Sequence, residues 1–372
     1  MKNKINNYDF LIVGAGLIGS LTALALLNKK FKVIIVDSSN LNFSDNRTLA
    51  VNANSRDFLI NLGIWSKLKK VEPINKIFIK DNINSETLEF FDQNEPMGSV
   101  IYNKEILEIA HKVLFKKKCI FKNFNISLAG LSSNKKIILQ KETFTFKKII
   151  FSLGKNFTAF EDINKFTFNS NHTSYVGFFK HVKMHNNFAY EIFTKLGPLA
   201  VLPAPQSNKK FSTFIFSSKK KYSKNELENL LKKYFISTHG IIKIHNEIKT
   251  FPILPHISQS NHDQHILVGD TLRSIHPVAG QGWNLGIKDI QDLCLVIDQY
   301  SLDYSDFNEN YYARRNLESI SYLLFTSLLN LLYDNQNKPN TLLIKFGFKF
   351  LLNFSYLRNI FIKQAMGRVR LI

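Results

Sequence analysis

Apolar residues along this chain switch between two spacings. Residues 9–13 form a short apolar run that passes straight into Gly14-Ala15-Gly16-Leu17-Ile18-Gly19, and residues 17–27 continue with small and apolar side chains at helical spacing. A second apolar run, 32–36, ends at Asp37. An amphipathic helix is predicted to end near Leu62-Gly63-Ile64-Trp65, followed by a hairpin over 77–91. Tyr102-Asn103-Lys104 opens a predicted helix over 105–115, and two or three short strands follow over 120–140. From 172 to 251 the period becomes two. Residues 175–182, 188–193, 199–202 and 211–216 read as strands, with one helix, 224–235, among them. Gly197-Pro198 and Pro203-Ala204-Pro205 predict turns at a domain interface. Residues 265–268 then read as a buried strand and 284–297 as an amphipathic helix. This order predicts an α/β protein whose first domain is discontinuous in sequence, with a mostly antiparallel sheet as the second.

Composition mainly excludes. At 372 residues and 45% hydrophobic content, the chain has material for two globular domains or one large one. A formal net charge of +20 suits an acidic partner such as a membrane surface. The lysines are dispersed, however, and no helix-turn-helix, zinc-knuckle or RNP-like pattern is present, so nucleic acid is not expected. Cys119 and Cys294 give neither a disulfide framework nor metal-ligand spacing, and no metal is expected. His172, His181 and His185 also lack such spacing and are expected at the surface. Residues 1–7 are polar, without the apolar core of a signal peptide, which predicts a cytoplasmic address.

Two stretches carry chemistry. Gly14, Gly16 and Gly19 follow a strand, open a helix, and precede by 18 residues the acid that ends the next strand, the full context of a dinucleotide-binding motif. There Gly14 permits the tight turn, Gly16 lets backbone approach a pyrophosphate, Gly19 lets helix and strand pack, and Asp37 accepts from ribose hydroxyls. The second stretch, 269–289, places Asp270 at a strand end. A Pro277 bend and a Gly280-Gln281-Gly282 helix entry follow, where free N–H groups can face a ring carbonyl or phosphate.

These two stretches, the Asp45-Asn46-Arg47 loop and residues 193–203 together resemble the ubiquinone-biosynthesis hydroxylases. Those are class A FAD-dependent aromatic monooxygenases with the p-hydroxybenzoate-hydroxylase fold. Tyr311-Tyr312-Ala313-Arg314-Arg315 and Ala365-Met366-Gly367 are similar to that family too. The resemblance implies a Rossmann-type FAD-binding domain from residues 1–72, 98–170 and 259–310, and a substrate domain from a hairpin at 73–97 with residues 171–258. Residues 311–372 form a C-terminal helical region. It assigns Gly14, Ala15, Gly16, Ile18, Gly19, Asp37 and Arg47 to the ADP half of FAD and Asp270 to the ribityl chain. Pro277, Gly280, Gln281, Gly282 and Asn284 fall on the flavin side, and Asn103 near a position that contacts FAD. The implied reaction uses NAD(P)H and O₂ to hydroxylate the ring of a polyprenylated phenol in ubiquinone biosynthesis, the protein holding the ring and excluding water. No acid–base pair is demanded. His276 and Pro277 are flavin-side candidates, and a His before Pro at a bend reads equally as a structural cap.

Two positions depart from the family pattern. An acid precedes the glycine of an Asp-Gly motif in relatives, whereas this chain reads Phe151-Ser152-Leu153-Gly154-Lys155-Asn156, and Arg273 stands where a small residue or histidine is usual. Both bear on flavin reduction, and they leave open an FAD-binding subunit of a quinone-biosynthesis assembly that does not turn over or is reduced differently. In the tail, residues 341–362 and the adjoining Lys363 place Lys345, Lys349, Asn359 and Lys363 on one helical face and Phe346, Phe350, Phe354, Leu357 and Phe361 on the other, with Arg358 at the edge of the apolar side. That pattern fits an interfacial helix at the inner face of a membrane, or a helix packed on the FAD domain.

Overall fold

The computed structural model describes residues 5–42, 47–82, 84–124, 126, 131, 135–160, 163–168, 170–260, 262–276, 280–334 and 338–369. The N-terminal apolar runs build a six-stranded sheet. Its parallel strands lie in the order His265–Leu267, Glu142–Phe151, Ile5–Val13, Val33–Val36, Ile120–Phe121, and Lys136–Leu139 pairs antiparallel with Glu142–Phe151. Both faces are covered, which is why these strands read as continuous apolar runs instead of alternating ones. Phe10 and Ile12 pack toward α1 (Leu17–Asn28), while Leu11 and Val13 pack with Leu139 and Phe146. Helix α2 (Ala53–Asn61) starts where the Asn52 side chain accepts from the Ser55 N–H, and α3 (Asn103–Lys116) lies against α1.

The period-two segment forms a seven-stranded sheet. Its order is Ile242–Pro252, Thr173–His181, Phe211–Ser218, Gly197–Pro203, Phe188–Thr194, Lys76–Asp81, Glu86–Phe91, antiparallel except where Phe188–Thr194 meets Lys76–Asp81. One face is covered by α4 (Lys224–His239), which opens with a Ser223/Glu226 capping box. Its Leu227, Leu231 and Phe235 pack on Phe179, Phe214 and Phe216. Helices α5 (Gln281–Gln299), α6 (Phe307–Asp334), α7 (Lys338–Asn353) and α8 (Ser355–Ala365) complete the chain. Phe348 and Leu351 of α7 and Ile362 of α8 pack on Leu88 and Phe90 of the hairpin, joining the tail to the second sheet.

Three expectations change. Gly197-Pro198 is not a turn: it begins a strand, with Pro198 opposite Phe193, and a Cβ on Gly197 would stand 1.8 Å from the Ser217 carbonyl oxygen. The tail is not one helix, because it breaks at Phe354 between α7 and α8. His172, His181 and His185 are buried. His181 shares a sheet face with Phe179 two residues earlier, and α4 closes over that face with His239, ring centroids 4.6 Å from His181.

Candidate functional site

The first glycine turn is set by packing and leaves one opening. Gly14 has φ +104°, and a Cβ there would lie 2.2 Å from the Ser152 carbonyl oxygen; one on Gly19 would lie 2.0 Å from that of Gly14. Gly16 is different, since a Cβ on it would meet nothing within 4 Å. Asp37 braces the turn from the next strand: Oδ2 accepts from the Ala15 N–H at 2.6 Å and Oδ1 from the Ser39 N–H at 2.8 Å. Ala15 is itself buried, and its carbonyl lies 2.9 Å from Nε2 of His111, which α3 supplies. Burial lowers the pKa of that imidazole, suiting a neutral ring.

Gly16 opens onto a cavity of about 750 Å³ between the two sheets. Gly14, Ile18, Asp37, Arg47, Asn103, Asp270, Gly280 and Gly282 all line it, so most of the residues singled out in sequence converge on one space. Gln281 and Asn284 line a neighbouring cavity. Asp45, Asn46 and Pro277 lie outside the described residues. His276 is buried beside His172, ring centroids 5.3 Å apart, and is not among the cavity-lining residues.

The electrostatics of the cavity centre on Asp270. Its side chain is open to the cavity while the surrounding chain encloses it; that enclosure raises its pKa, opposed by Lys155, Arg273 and Arg47. Sequence reasoning missed Lys155 and Phe251. The Arg47 guanidinium lies 5.0 Å and the Lys155 ammonium 5.3 Å from the centre of the Phe251 ring. Burial lowers the Lys155 pKa, and the nearby Asp270 acts against that. Lys155 was legible only as a residue next to Gly154, because its neighbour Phe251 comes from the other sheet.

Arg273 does not face the cavity. It is buried, its Nη2 donating to Asp289 Oδ1 at 2.7 Å and to the Leu285 carbonyl at 2.9 Å. Asp289 Oδ1 also accepts from Arg315 Nε at 2.7 Å, and Asp289 Oδ2 accepts from the Gly269 N–H at 2.8 Å. Arg315 Nη1 continues to Asp292 and Glu318, and Lys288 closes the group on Glu318 at 2.5 Å. The position that departs from the family pattern is thus part of the support behind the Gly269-Asp270 loop.

A second cavity of about 540 Å³ lies beyond the first, with Ile215 and Gly280 lining both. Its walls are apolar: Ile77, Ile79, Leu88, Phe90 and Leu202 from the sheet, Leu329, Phe348 and Leu351 from α6 and α7.

Comparison with known proteins agrees with this geometry. The FAD binding domain family matches residues 151–299. Ubiquinone hydroxylase UbiL of Rhodospirillum rubrum is 23% identical over 98% of this chain and 90% of its own length. Ubiquinone hydroxylase UbiM of Neisseria meningitidis is 24% identical over 96% of this chain and 84% of its own. The chain is thus similar over nearly its whole length to ubiquinone-biosynthesis hydroxylases, and it reads as an FAD-dependent monooxygenase. Its fold is that of p-nitrophenol 4-monooxygenase PnpA from Pseudomonas putida, with TM-score 0.73 at 13% identity over 99% of this chain and 100% of that one.

FAD, which the matched domain binds, fits the residues present. Gly16, Gly154 and Gly282 each line the first cavity at points where a Cβ would project into open space. Asn103 Oδ1 and Trp283 Nε1 are buried on its wall without a partner among the described residues, as groups awaiting one supplied by a ligand would be. The volume lies within the about 300–1,000 Å³ of sites that hold small-molecule ligands.

Proposed function

We propose that this monooxygenase hydroxylates the aromatic ring of a polyprenylated phenol in ubiquinone biosynthesis, with NAD(P)H as electron donor and O₂ as oxygen source. The observation that carries the reading is the apolar cavity that meets the cofactor cavity at Ile215 and Gly280. One side would hold FAD, the other a ring with its hydrocarbon chain running between the second sheet and α6–α7. When bound, the flavin supplies the redox and oxygen-transfer chemistry. The chain contributes the rest. Gly14, Gly16 and Asp37 would hold the ADP half, Arg47 and Lys155 would offset phosphate charge, and Asp270 would accept from the ribityl hydroxyls. Gly280, Gly282 and Asn284 would border the ring. Apolar walls exclude water from the ring and bring it to the reacting position.

A membrane-surface contact belongs to the same proposal. Leu324, Leu328, Leu331, Leu342 and Phe346 are exposed on α6 and α7, and the exposed Phe325, Leu343 and Phe350 also line the apolar cavity. After Asp334 the sequence holds no carboxylate side chain, whereas Lys338, Lys345, Lys349, Arg358 and Lys363 are all cationic. An apolar face beside cations alone suits an anionic lipid surface, from which a prenyl chain could enter directly. No helix among the described residues is long and apolar enough to cross a membrane.

The test is reduction kinetics. The purified protein should be yellow, and NADH or NADPH should bleach its visible flavin band faster when a prenylphenol is present. Equal rates with and without the prenylphenol would refute the hydroxylase reading. The absence of an acid at Leu153, whose N–H is held by Thr271 Oγ1 at 2.6 Å, favours a second reading, a flavoprotein subunit without turnover. Restored quinone synthesis in a hydroxylase-deficient host, lost again in Asp270→Ala, would exclude it.

A further inference from the structure

Among the described residues, the wall of the apolar cavity carries a buried amide with unused hydrogen-bonding capacity at the end of α8. Gln364 is 7% exposed and lines the cavity. Its Nε2 donates to the Tyr322 hydroxyl at 2.7 Å, and its Oε1 is buried without a partner among the described residues. Neighbouring polar groups of the wall are engaged. Asn52 Oδ1 caps α2, the Asn284 amide reaches Ala50 and Gly280 and accepts from the Asn52 N–H, and the Thr326 hydroxyl returns to its own helix. A buried amide end left unpaired is destabilising, so it calls for a partner when the cavity is filled.

Its position says which part of a ligand that partner is. The α8 end lies at the cofactor side of the cavity: the Asn54 N–H donates to the Met366 carbonyl at 3.1 Å, and a Cβ on Gly367 would stand 2.7 Å from Asn52. Tyr322, which holds the amide, clusters with Ile275, itself a lining residue of the cofactor cavity. We propose that Gln364 receives the ring hydroxyl of the phenolic substrate and so orients the ring toward the flavin. A phenol O–H donates to the free carbonyl end, and it equally accepts from an amide turned end for end, so the recognition holds in either orientation. Gln364 is a positioning and specificity residue; the assignment rests on the phenol reading above.

The experiment compares a short-chain prenylphenol with its deoxy analogue, in which hydrogen replaces the ring hydroxyl, so that neither donor nor acceptor remains. Binding to the FAD-loaded full chain is measured by calorimetry for the wild type, Gln364→Leu and Gln364→Met. The wild type should prefer the phenol about five- to tenfold, the worth of one hydrogen bond. Both variants should bind the two ligands equally, and should consume NAD(P)H with a larger share diverted to hydrogen peroxide. The phenol-to-deoxy ratio within one variant is insensitive to any loss of overall stability, and Tyr322→Phe, which frees the amide, should lower the ratio only partly. A preference that survives unchanged in both variants overturns the assignment. Failure of the wild type to bind either ligand overturns the phenol reading itself.

Discussion

Asp289→Ala tests whether the buried charges behind the cofactor loop hold that loop in place. Arg273, Lys288 and Arg315 face Asp289, Asp292 and Glu318, three cations against three carboxylates, all buried or nearly so. Asp289 is the member that touches the site, because its Oδ1 binds two guanidinium groups and its Oδ2 binds the Gly269 N–H. Removing one partner of a buried ion pair costs about 3–5 kcal/mol, and the orphaned Gly269 N–H adds about 1–3 kcal/mol. The sum, roughly 4–8 kcal/mol, is a large part of the about 5–15 kcal/mol that holds a typical protein folded. Asp289→Asn keeps an acceptor for Gly269 but loses the charge, so it should cost about 3 kcal/mol, near the lower bound for such a pair. The assay is urea unfolding of the FAD-free chain by circular dichroism, with FAD retention on gel filtration as a second readout. The two readouts should fall together, since Gly269 directly precedes Asp270. In the double variant Asp289→Asn, Arg273→Met, each change relieves part of the other, and the cycle should show coupling of about 1–3 kcal/mol. A loss below about 1 kcal/mol in Asp289→Ala with FAD retained would refute the argument.

Three further outcomes follow from the same geometry. Gly16→Val should abolish FAD retention while leaving the urea midpoint of the FAD-free chain unchanged, whereas Gly19→Ala, which meets backbone at 2.0 Å, should lower that midpoint; equal effects on both would contradict the distinction drawn between them. Burial pushes the His185 pKa down to about 4 and that of His239 to about 3. Because an unfolded histidine titrates near 6.5, the unfolded chain takes up protons first, so stability present above pH ~6.5 is lost as pH falls toward 4. His239→Phe should flatten the stability profile between pH 6.5 and 4.5, above the range in which Glu318, held down to about 2 by Arg315 and Lys288 against the burial that raises it, begins to contribute. An unaltered profile would show that these rings accept protons in the folded state. For the lipid surface, Phe346→Glu with Phe350→Glu should release the protein from anionic vesicles in a sedimentation assay and leave binding of FAD intact; undiminished sedimentation would place the contact elsewhere.

The strands and glycine turns of the first sheet were legible because their constraints are local. A strand buried on both faces must be apolar at successive positions, and Gly14 and Gly19 must lack a Cβ within six residues of each other. The period-two strands were legible for the same reason, and so was the helix entry at Gly280, whose backbone is left-handed. What escaped depended on residues far apart in sequence. His181 and His185 carry no local sign of burial; their surroundings exist only once α4 has returned over the sheet with His239. Pro198 looks like a turn residue until Gly197-Pro198 is seen beside Phe193 in a paired strand.

Arg273 shows the same limit and changes what its substitution means. In sequence it stands three residues after Asp270, close enough to suggest an effect on the flavin. In the fold its guanidinium turns away from the cavity to Asp289, one turn of helix beyond Leu285, whose carbonyl it also binds. That leaves the cofactor side of the loop to Asp270, whose charged form is favoured by Lys155 and Arg47 at the cavity and by Arg273 behind it. Arg47 was legible in sequence; Lys155 follows Gly154 directly, in the segment where relatives carry an Asp-Gly acid. This chain therefore has a cation beside Asp270, the residue proposed to hold the ribityl chain, and no acid before Gly154. The balance of charge along the cavity shifts toward positive, which favours an anionic dinucleotide over a neutral ligand on that side. Lys155→Ala should accordingly weaken the affinity for FAD and steepen it less with falling salt concentration, while an affinity with unchanged salt dependence would mean that Lys155 faces no phosphate.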